Sequence, residues 1–193
     1  MYHLLITGDP GIGKTTLIKK IIGILKSKNV EIDGFYTEEI RDDNNYRVGF
    51  EIVTMDGKRG ILAKKGGSNL SSFKPKVGQY LVHMNEFEQL ILPILEKPKK
   101  LLIIDEIGKM ELLSKKFEES VSNIFFDNTA AVIATVPLKD QFFVRQLKER
   151  KDCHLITVTH SNRNAILEEI KDWLNGLGEP EIAIPSIVAL FLD

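Results

Sequence analysis

The sequence feature that most constrains the fold is a glycine-rich segment near the amino terminus. Residues 8–15 read GDPGIGKT and fit the pattern GxxxxGK[ST] with no mismatch. A short apolar run, Leu4–Ile6, precedes the segment, and from Lys14 onward apolar residues recur at helical spacing. The order strand, loop, helix predicts a turn whose backbone N–H groups converge on an anion at the positive end of the helix. Glycines are needed there because larger side chains would block the approach of a phosphate.

The residue types in this segment indicate separate roles. We expect Lys14 to reach the outer phosphates of a nucleotide as a point charge, and the Thr15 hydroxyl to bind a magnesium ion. The nucleotide-binding set predicted from the segment comprises Gly8, Asp9, Pro10, Gly11, Ile12, Gly13, Lys14, Thr15 and Thr16.

A second apolar run ends in two carboxylates. Asp105 and Glu106 follow the run LLII at 101–104, and strand ends face the phosphate site in folds that carry such a loop. The pattern predicts that Asp105 binds magnesium, either directly or through a bound water, and that Glu106 is the base that orients or deprotonates an attacking water. Gly108 completes a DxxG, the form that a switch GTPase uses at the γ-phosphate, but the accompanying NKxD is absent from the sequence.

Other polar residues are weaker candidates. Thr135 ends the next predicted strand, where a contact with the γ-phosphate and an ordinary strand end are equally open interpretations. Arg145, Arg150 and Arg163 are candidates for stabilising transition-state charge, although most arginines are solvated surface residues. Asn162 and Arg163 follow a strand end where a base or ribose contact competes with helix capping.

The predicted β-rich region also carries several charged residues. Glu38, Glu39 and Arg41 could face the outer end of the nucleotide, but charges are expected on any half-exposed strand, and we favour that interpretation.

The rest of the chain predicts an α/β fold. Strand-like runs alternate with helical segments in the second half, which predicts a mostly parallel sheet flanked by helices. Residues 32–83 are β-rich with turn signals and predict an antiparallel insertion or sheet extension, and residues 64–76 are typical of a surface loop. We expect one domain over 1–193, in which the apolar tail, 176–193, has no predicted packing partner.

Composition excludes several classes of function. Hydrophobic residues make up 43% and charged residues 27%, as in globular proteins, and the net charge of −1 gives no general attraction to nucleic acid or to an anionic membrane. Nucleic-acid binding would need a local basic patch. The single cysteine, Cys153, predicts a structural thiol in a reducing compartment, and the start of the sequence lacks signal-peptide features. We therefore expect a cytoplasmic monomer with no membrane segment.

The chain also resembles the THEP-type nucleoside triphosphatases, also called the cancer-related nucleoside triphosphatase family. The resemblance covers nearly the whole chain through about Leu174. Besides the glycine-rich segment, it is carried by Gly34–Arg41, Gly49–Phe50, Ile52–Thr54, Val77–Tyr80, Phe87–Glu88, Leu92–Pro93, Asp105–Leu112, Arg150–Asp152, Val158–Thr159 and Asn162–Asn164.

This resemblance implies a RecA-like P-loop fold and slow magnesium-dependent hydrolysis of several nucleoside triphosphates, including ATP and GTP, with broad base tolerance. It also favours Arg150 and Arg163 over the other arginines, because both lie in motifs of the family. Two alternatives remain open: a nucleotide or small-molecule kinase that uses the same loop, and a nucleotide-dependent switch or adaptor.

Overall fold

The computed structural model describes residues 3–66, 75–139 and 141–176, with side chains described through residue 174. Most of the predicted surface loop, the start of the predicted helix at Asp140 and almost all of the apolar tail lie outside the described residues.

The described residues form a single mixed sheet of nine strands. The strands are β1 (His3–Gly8), β2 (Ile32–Arg41), β3 (Arg47–Thr54), β4 (Arg59–Lys65), β5 (Lys76–Val77), β6 (Tyr80–Val82), β7 (Leu101–Ile104), β8 (Ala131–Thr135) and β9 (Cys153–Val158). Their order across the sheet is β5-β6-β4-β3-β2-β7-β8-β1-β9.

The sheet has a parallel part and an antiparallel extension. Strands β2, β7, β8, β1 and β9 pair in parallel, whereas β2, β3, β4, β6 and β5 pair antiparallel. The predicted α/β fold is confirmed. The β-rich region is a sheet extension rather than a separate insertion, and its first strand, β2, belongs to both parts of the sheet.

Helices cover both faces of the sheet. They are α1 (Lys14–Ser27), α2 (Met84–Glu96), α3 (Lys115–Asp127), α4 (Phe142–Lys148) and α5 (Ile166–Gly176), with a 3-10 turn at Glu111–Leu113. Ser114 begins α3 by accepting a hydrogen bond from the N–H of Phe117 at 3.1 Å. None of the helices in the described ranges is both long and apolar enough to cross a bilayer.

The side chains of the parallel strands alternate between two cores. Leu5 of β1 and Leu102 of β7 pack with α2, α3 and α4, whereas Leu4 and Leu101 pack with α1 and α5. This alternation explains why the central strands β1, β7 and β8 are largely apolar runs in the sequence, since both of their faces are buried. The result is a three-layer α/β/α arrangement.

The strand order determines where the polar strand ends meet. β8 lies between β1 and β7, with Ile6 of β1 opposite Thr135 and Ile104 of β7 opposite Ala134. Because these strands are parallel, Gly8, Thr135 and Asp105 all lie at the same carboxyl edge. The candidate site is built at that edge.

Candidate functional site

The glycine-rich segment leaves β1 in a tight turn and enters α1. Gly8 has φ of 148°, and a Cβ at that position would lie 2.5 Å from the carbonyl oxygen of Val158 in β9. Gly13 precedes the first residue of α1 with φ of 112°, and no side chain caps the helix. The first N–H groups of α1 therefore face the turn without a side-chain acceptor, as an anion site requires.

Lys14 folds back over this turn. Its Nζ donates to the carbonyl oxygen of Gly8 at 3.0 Å and approaches that of Asp9 at 3.4 Å, and the residue is 9% exposed. The same Nζ lies 3.9 Å from Oε2 of Glu106. The ammonium group thus joins the glycine-rich turn to the acidic strand end, as the sequence predicts.

Asp105 is the most deeply buried carboxylate of the strand end, with 1% of the residue exposed. The Thr135 hydroxyl donates to Oδ1, while Oδ2 has no hydrogen-bond partner among the described residues. Burial raises the pKa of Asp105, and the nearby hydroxyls of Thr135 and Thr15 oppose that rise. A buried carboxylate oxygen without a partner is costly unless a ligand supplies one.

These residues fit a magnesium ion. The Thr15 hydroxyl and the unpartnered Oδ2 of Asp105 are hard oxygen donors on neighbouring elements. Within the described ranges, no group of three or more His, Cys, Asp or Glu side chains could hold a metal ion alone. Such a sparse donor set is typical of magnesium bound together with substrate phosphates rather than in an all-protein cage.

Glu106 has a neighbouring carboxyl group to which the sequence analysis assigns no role. A Cβ built on Gly108 would lie 2.5 Å from Oε1 of Glu106 and 3.0 Å from Oε2 of Glu111, so both carboxyl groups pack against this glycine. Burial raises the pKa of Glu111 to about 8, with a further contribution from Glu106. Burial also raises the pKa of Glu106, which the positive charge of Lys14 opposes. The sequence signal for Glu111 is its position within the Asp105–Leu112 segment of the family resemblance.

The structure contradicts the expected catalytic role of Arg150. The guanidinium binds both carboxylate oxygens of Asp152 at 2.9 and 2.7 Å and the carbonyl of Phe125 at 2.8 Å. The backbone carbonyl of Asp152 accepts a hydrogen bond from the backbone N–H of His3, which lies at the end of β1 opposite Gly8. Because β1 has 6 residues, at about 3.3 Å each its two ends are roughly 17 Å apart. Arg150 stabilises the segment that leads into β9 and cannot reach the glycine-rich turn.

Asn162 and Arg163 lie beyond the carboxyl end of β9, next to β1. Oδ1 of Asn162 accepts from the N–H of Thr159 at 2.8 Å, and Nδ2 donates to the carbonyl of Thr157 at 2.9 Å. The side chain of Asn162 therefore closes the turn that follows β9, and neither of these bonds reaches α5. Arg163 is exposed on this turn and outside the cavity described next.

An open cavity of about 1370 Å³ joins the glycine-rich turn to the antiparallel extension. Besides the turn, Asp105, Glu106 and Glu111, its lining includes Thr37, Glu38, Glu39, Arg47, Phe50 and Tyr80. Glu38 and Glu39 are therefore strand charges that also line the cavity. β2 continues past its parallel pairing with β7, so these residues lie beside the acidic strand end. Arg41 lies outside the lining and pairs with Glu39.

A lysine and buried carboxylates around a glycine-rich turn, at the carboxyl edge of a parallel sheet, define a nucleotide-binding α/β protein. Comparisons with known proteins make this class more specific. A family model described as NTPase matches residues 3–171. The cancer-related nucleoside-triphosphatase homolog of Mus musculus is 42% identical over 180 residues, covering 87% of this chain and 94% of the relative. The nucleoside-triphosphatase THEP1 of Thermotoga sp. (strain RQ2) is 46% identical over 170 residues, covering 86% and 92%.

Two solved structures are also similar. The crystal structure of THEP1 from the hyperthermophile Aquifex aeolicus has a TM-score of 0.74 at 42% identity, covering 87% of this chain and 96% of that chain. The solution structure of a human cancer-related nucleoside triphosphatase has a TM-score of 0.78 at 39% identity, covering 91% and 98%. The chain belongs to this nucleoside-triphosphatase family, and it is therefore a hydrolase.

Proposed function

We propose that the chain hydrolyses magnesium-bound nucleoside triphosphates, including ATP and GTP, to the diphosphate and phosphate with little selectivity for the base. The observation that carries the proposal is the approach of Lys14 to Glu106 within 3.9 Å, between the glycine-rich turn and buried Asp105. This arrangement supports a triphosphate tail bound between the turn and the acidic strand end.

The residues of the site would have separate roles in binding and hydrolysis. The backbone N–H groups of the turn and the first turn of α1 bind the inner phosphates, and Lys14 leaves the carbonyls of Gly8 and Asp9 to bind the outer ones. Thr15 and Asp105 would hold magnesium, which when bound neutralises phosphate charge. Glu106 orients a water on the outermost phosphate and accepts its proton, as its position beside Lys14 and the open cavity allows.

Broad base tolerance agrees with the lining of the cavity. Its described walls surround the position of the phosphates and extend toward β2 and β3, while Asn162 and Arg163 lie outside it. A base bound near the β9 turn would meet an exposed surface rather than an enclosed pocket. Contact of Arg163 with the base or ribose stays a prediction, as does a monomeric state.

The proposal is tested by two substitutions, each with a matched control. Lys14→Ala should abolish productive nucleotide binding, whereas Lys20→Ala, on the exposed side of the same helix, should not. Glu106→Gln should retain nucleotide binding and lower kcat by about 10²–10⁴-fold, the usual contribution of a general base. Glu119→Gln removes an exposed carboxylate of α3 and should leave kcat unchanged. Phosphate release and nucleotide binding are measured separately, and normal turnover by Glu106→Gln would remove this residue from its role.

A second candidate function is phosphoryl transfer to an organic acceptor. The cavity favours it, because the lining continues past Glu106 and Glu111 onto the antiparallel extension, where an acceptor would have room. Turnover that requires an added acceptor, with little phosphate release in its absence, would favour transfer over hydrolysis.

A further inference from the structure

The half of the cavity that lies on the antiparallel extension is far from the glycine-rich turn. Strands β8, β7 and β2 separate β1 from β3 in the sheet. At about 4.8 Å between neighbouring strands, β3 lies roughly 19 Å from β1 along the sheet. The lining nevertheless continues from Lys14 to Phe50 and Tyr80 in one cavity. This half therefore offers space beyond the position proposed for the outermost phosphate.

Two aromatic rings and a guanidinium form one wall of that space. The rings of Phe50 and Tyr80 meet edge to face with centroids 5.1 Å apart. The guanidinium carbon of Arg47 lies 5.1 Å from the Phe50 ring centroid and 5.9 Å from that of Tyr80. Nε of Arg47 donates to the Tyr80 hydroxyl at 3.0 Å, and Tyr80 is 7% exposed. The packing therefore fixes the two rings and the guanidinium before any ligand arrives, which lowers the entropy cost of binding.

The wall also carries a guanidinium group. Nη1 of Arg47 donates to Glu39 at 2.8 Å, and Glu39 also pairs with Arg41, which lies outside the cavity lining. In the described part of the chain, Nη2 of Arg47 has no hydrogen-bond partner, and the side chain is 45% exposed. A guanidinium with unused N–H groups suits a carboxylate, sulfonate or phosphate oxygen.

We propose that this part of the cavity binds a second small molecule, one with a planar aromatic ring and an anionic group. We call it the extension pocket, and it is lined by Arg47, Phe50, Leu62, Val77, Gln79 and Tyr80. The ring packs on Phe50 and Tyr80, and the anionic group pairs with Arg47. The placement of this ligand beyond the outermost phosphate rests on the proposed function, whereas the aromatic wall and its charge do not.

The test uses 8-anilinonaphthalene-1-sulfonate, an anion with a planar naphthalene ring whose fluorescence reports binding, with the full chain at neutral pH. One saturable site is expected both without nucleotide and with saturating Mg-ADP. Arg47→Gln and Phe50→Leu should each raise the Kd at least tenfold. The controls Arg145→Gln and Phe142→Leu replace the same residue types at exposed positions of α4 outside the cavity, and they should bind as the wild type does. Circular dichroism establishes that each variant is folded.

Two results would overturn the extension pocket. One is unchanged affinity in both folded pocket variants, and the other is loss of all saturable probe binding when Mg-ADP is added. A failure of the proposed function gives a different pattern, because it appears as absent phosphate release by a wild-type protein that still binds the probe. Lys14→Ala separates the two sites directly, since it should lose nucleotide turnover and keep the affinity for the probe.

Discussion

The buried carboxyl of Glu111 should make the protein less stable as the pH rises. Its pKa is about 8 in the folded protein against an ordinary value of 4.5, and the residue is 5% exposed. Below pH 4.5 the group is protonated in both states, and its contribution to stability is fully present. Between pH 4.5 and 8 the unfolded state has released a proton that the folded state keeps, so this contribution falls progressively, and its loss is complete above pH 8.

Glu111→Gln removes the titration and should therefore stabilise the protein in a pH-dependent way. Each pKa unit corresponds to about 1.4 kcal/mol of unfolding free energy. The substitution should therefore stabilise the protein by about 5 kcal/mol at pH 9, about 3 kcal/mol at pH 7 and less than about 1 kcal/mol at pH 5. For a domain of this size, 5 kcal/mol corresponds to an increase in Tm of roughly 10–20 °C. Most substitutions of buried residues lower the free energy of unfolding, whereas this one should raise it.

The measurement is the free energy of unfolding in urea at pH 5, 7 and 9 for the wild type and Glu111→Gln. The difference between pH 9 and pH 5 is the decisive quantity, because it cancels the effect of exchanging a carboxyl for an amide. Glu119→Gln, at an exposed position of α3, should show no such difference. An equal stability change at pH 5 and pH 9 would refute the assignment of Glu111 as a buried acid.

Three further predictions concern stability and the metal site. The buried imidazole of His3 has a pKa of about 4 rather than 6.5, so acidification from pH 6.5 to 4 should lower the free energy of unfolding by about 3 kcal/mol. His3→Gln should remove that part of the pH dependence of unfolding. Thr135→Val removes the hydroxyl that donates to Asp105, so half-maximal phosphate release should need about 10-fold more magnesium; an unchanged titration would contradict this. Gly34→Ala places a Cβ 1.9 Å from the carbonyl oxygen of Ile103 at φ of 104°, which should lower unfolding stability by more than about 3 kcal/mol, measured in urea.

The carboxyl groups at the strand end explain why the site should depend on its ligands. Asp105, Glu106 and Glu111 all have raised pKa values because burial disfavours their charged forms, and within the described residues Lys14 is the cation paired with this group, through Glu106. Such a cluster lowers stability in the absence of ligands, as is common where activity requires a destabilised site. Cations and phosphates that enter the site therefore meet acceptor and donor groups that the protein itself leaves incompletely paired.

Local pattern was sufficient to predict part of the site. Gly8–Thr15 and Asp105–Glu106 follow apolar runs, and a central parallel strand in a three-layer fold is apolar on both faces. The polar residues after each run then lie at one carboxyl edge whatever the strand order. Arg150 shows the limit of carrying a role over from a family motif, because the residue precedes β9 and lies at the amino edge of the sheet, opposite the site.

The sequence alone determined the α/β class, the glycine-rich turn and the acidic strand end, because each depends on residues close together in the chain. Only the tertiary structure decided that Glu38, Glu39, Phe50 and Tyr80 share a cavity with Lys14, and that Glu111 faces Glu106 across Gly108. Those contacts depend on β2 pairing with β7 on one side and β3 on the other. Strand order is a property of long-range packing, and a single strand's own residues do not encode which strands lie beside it.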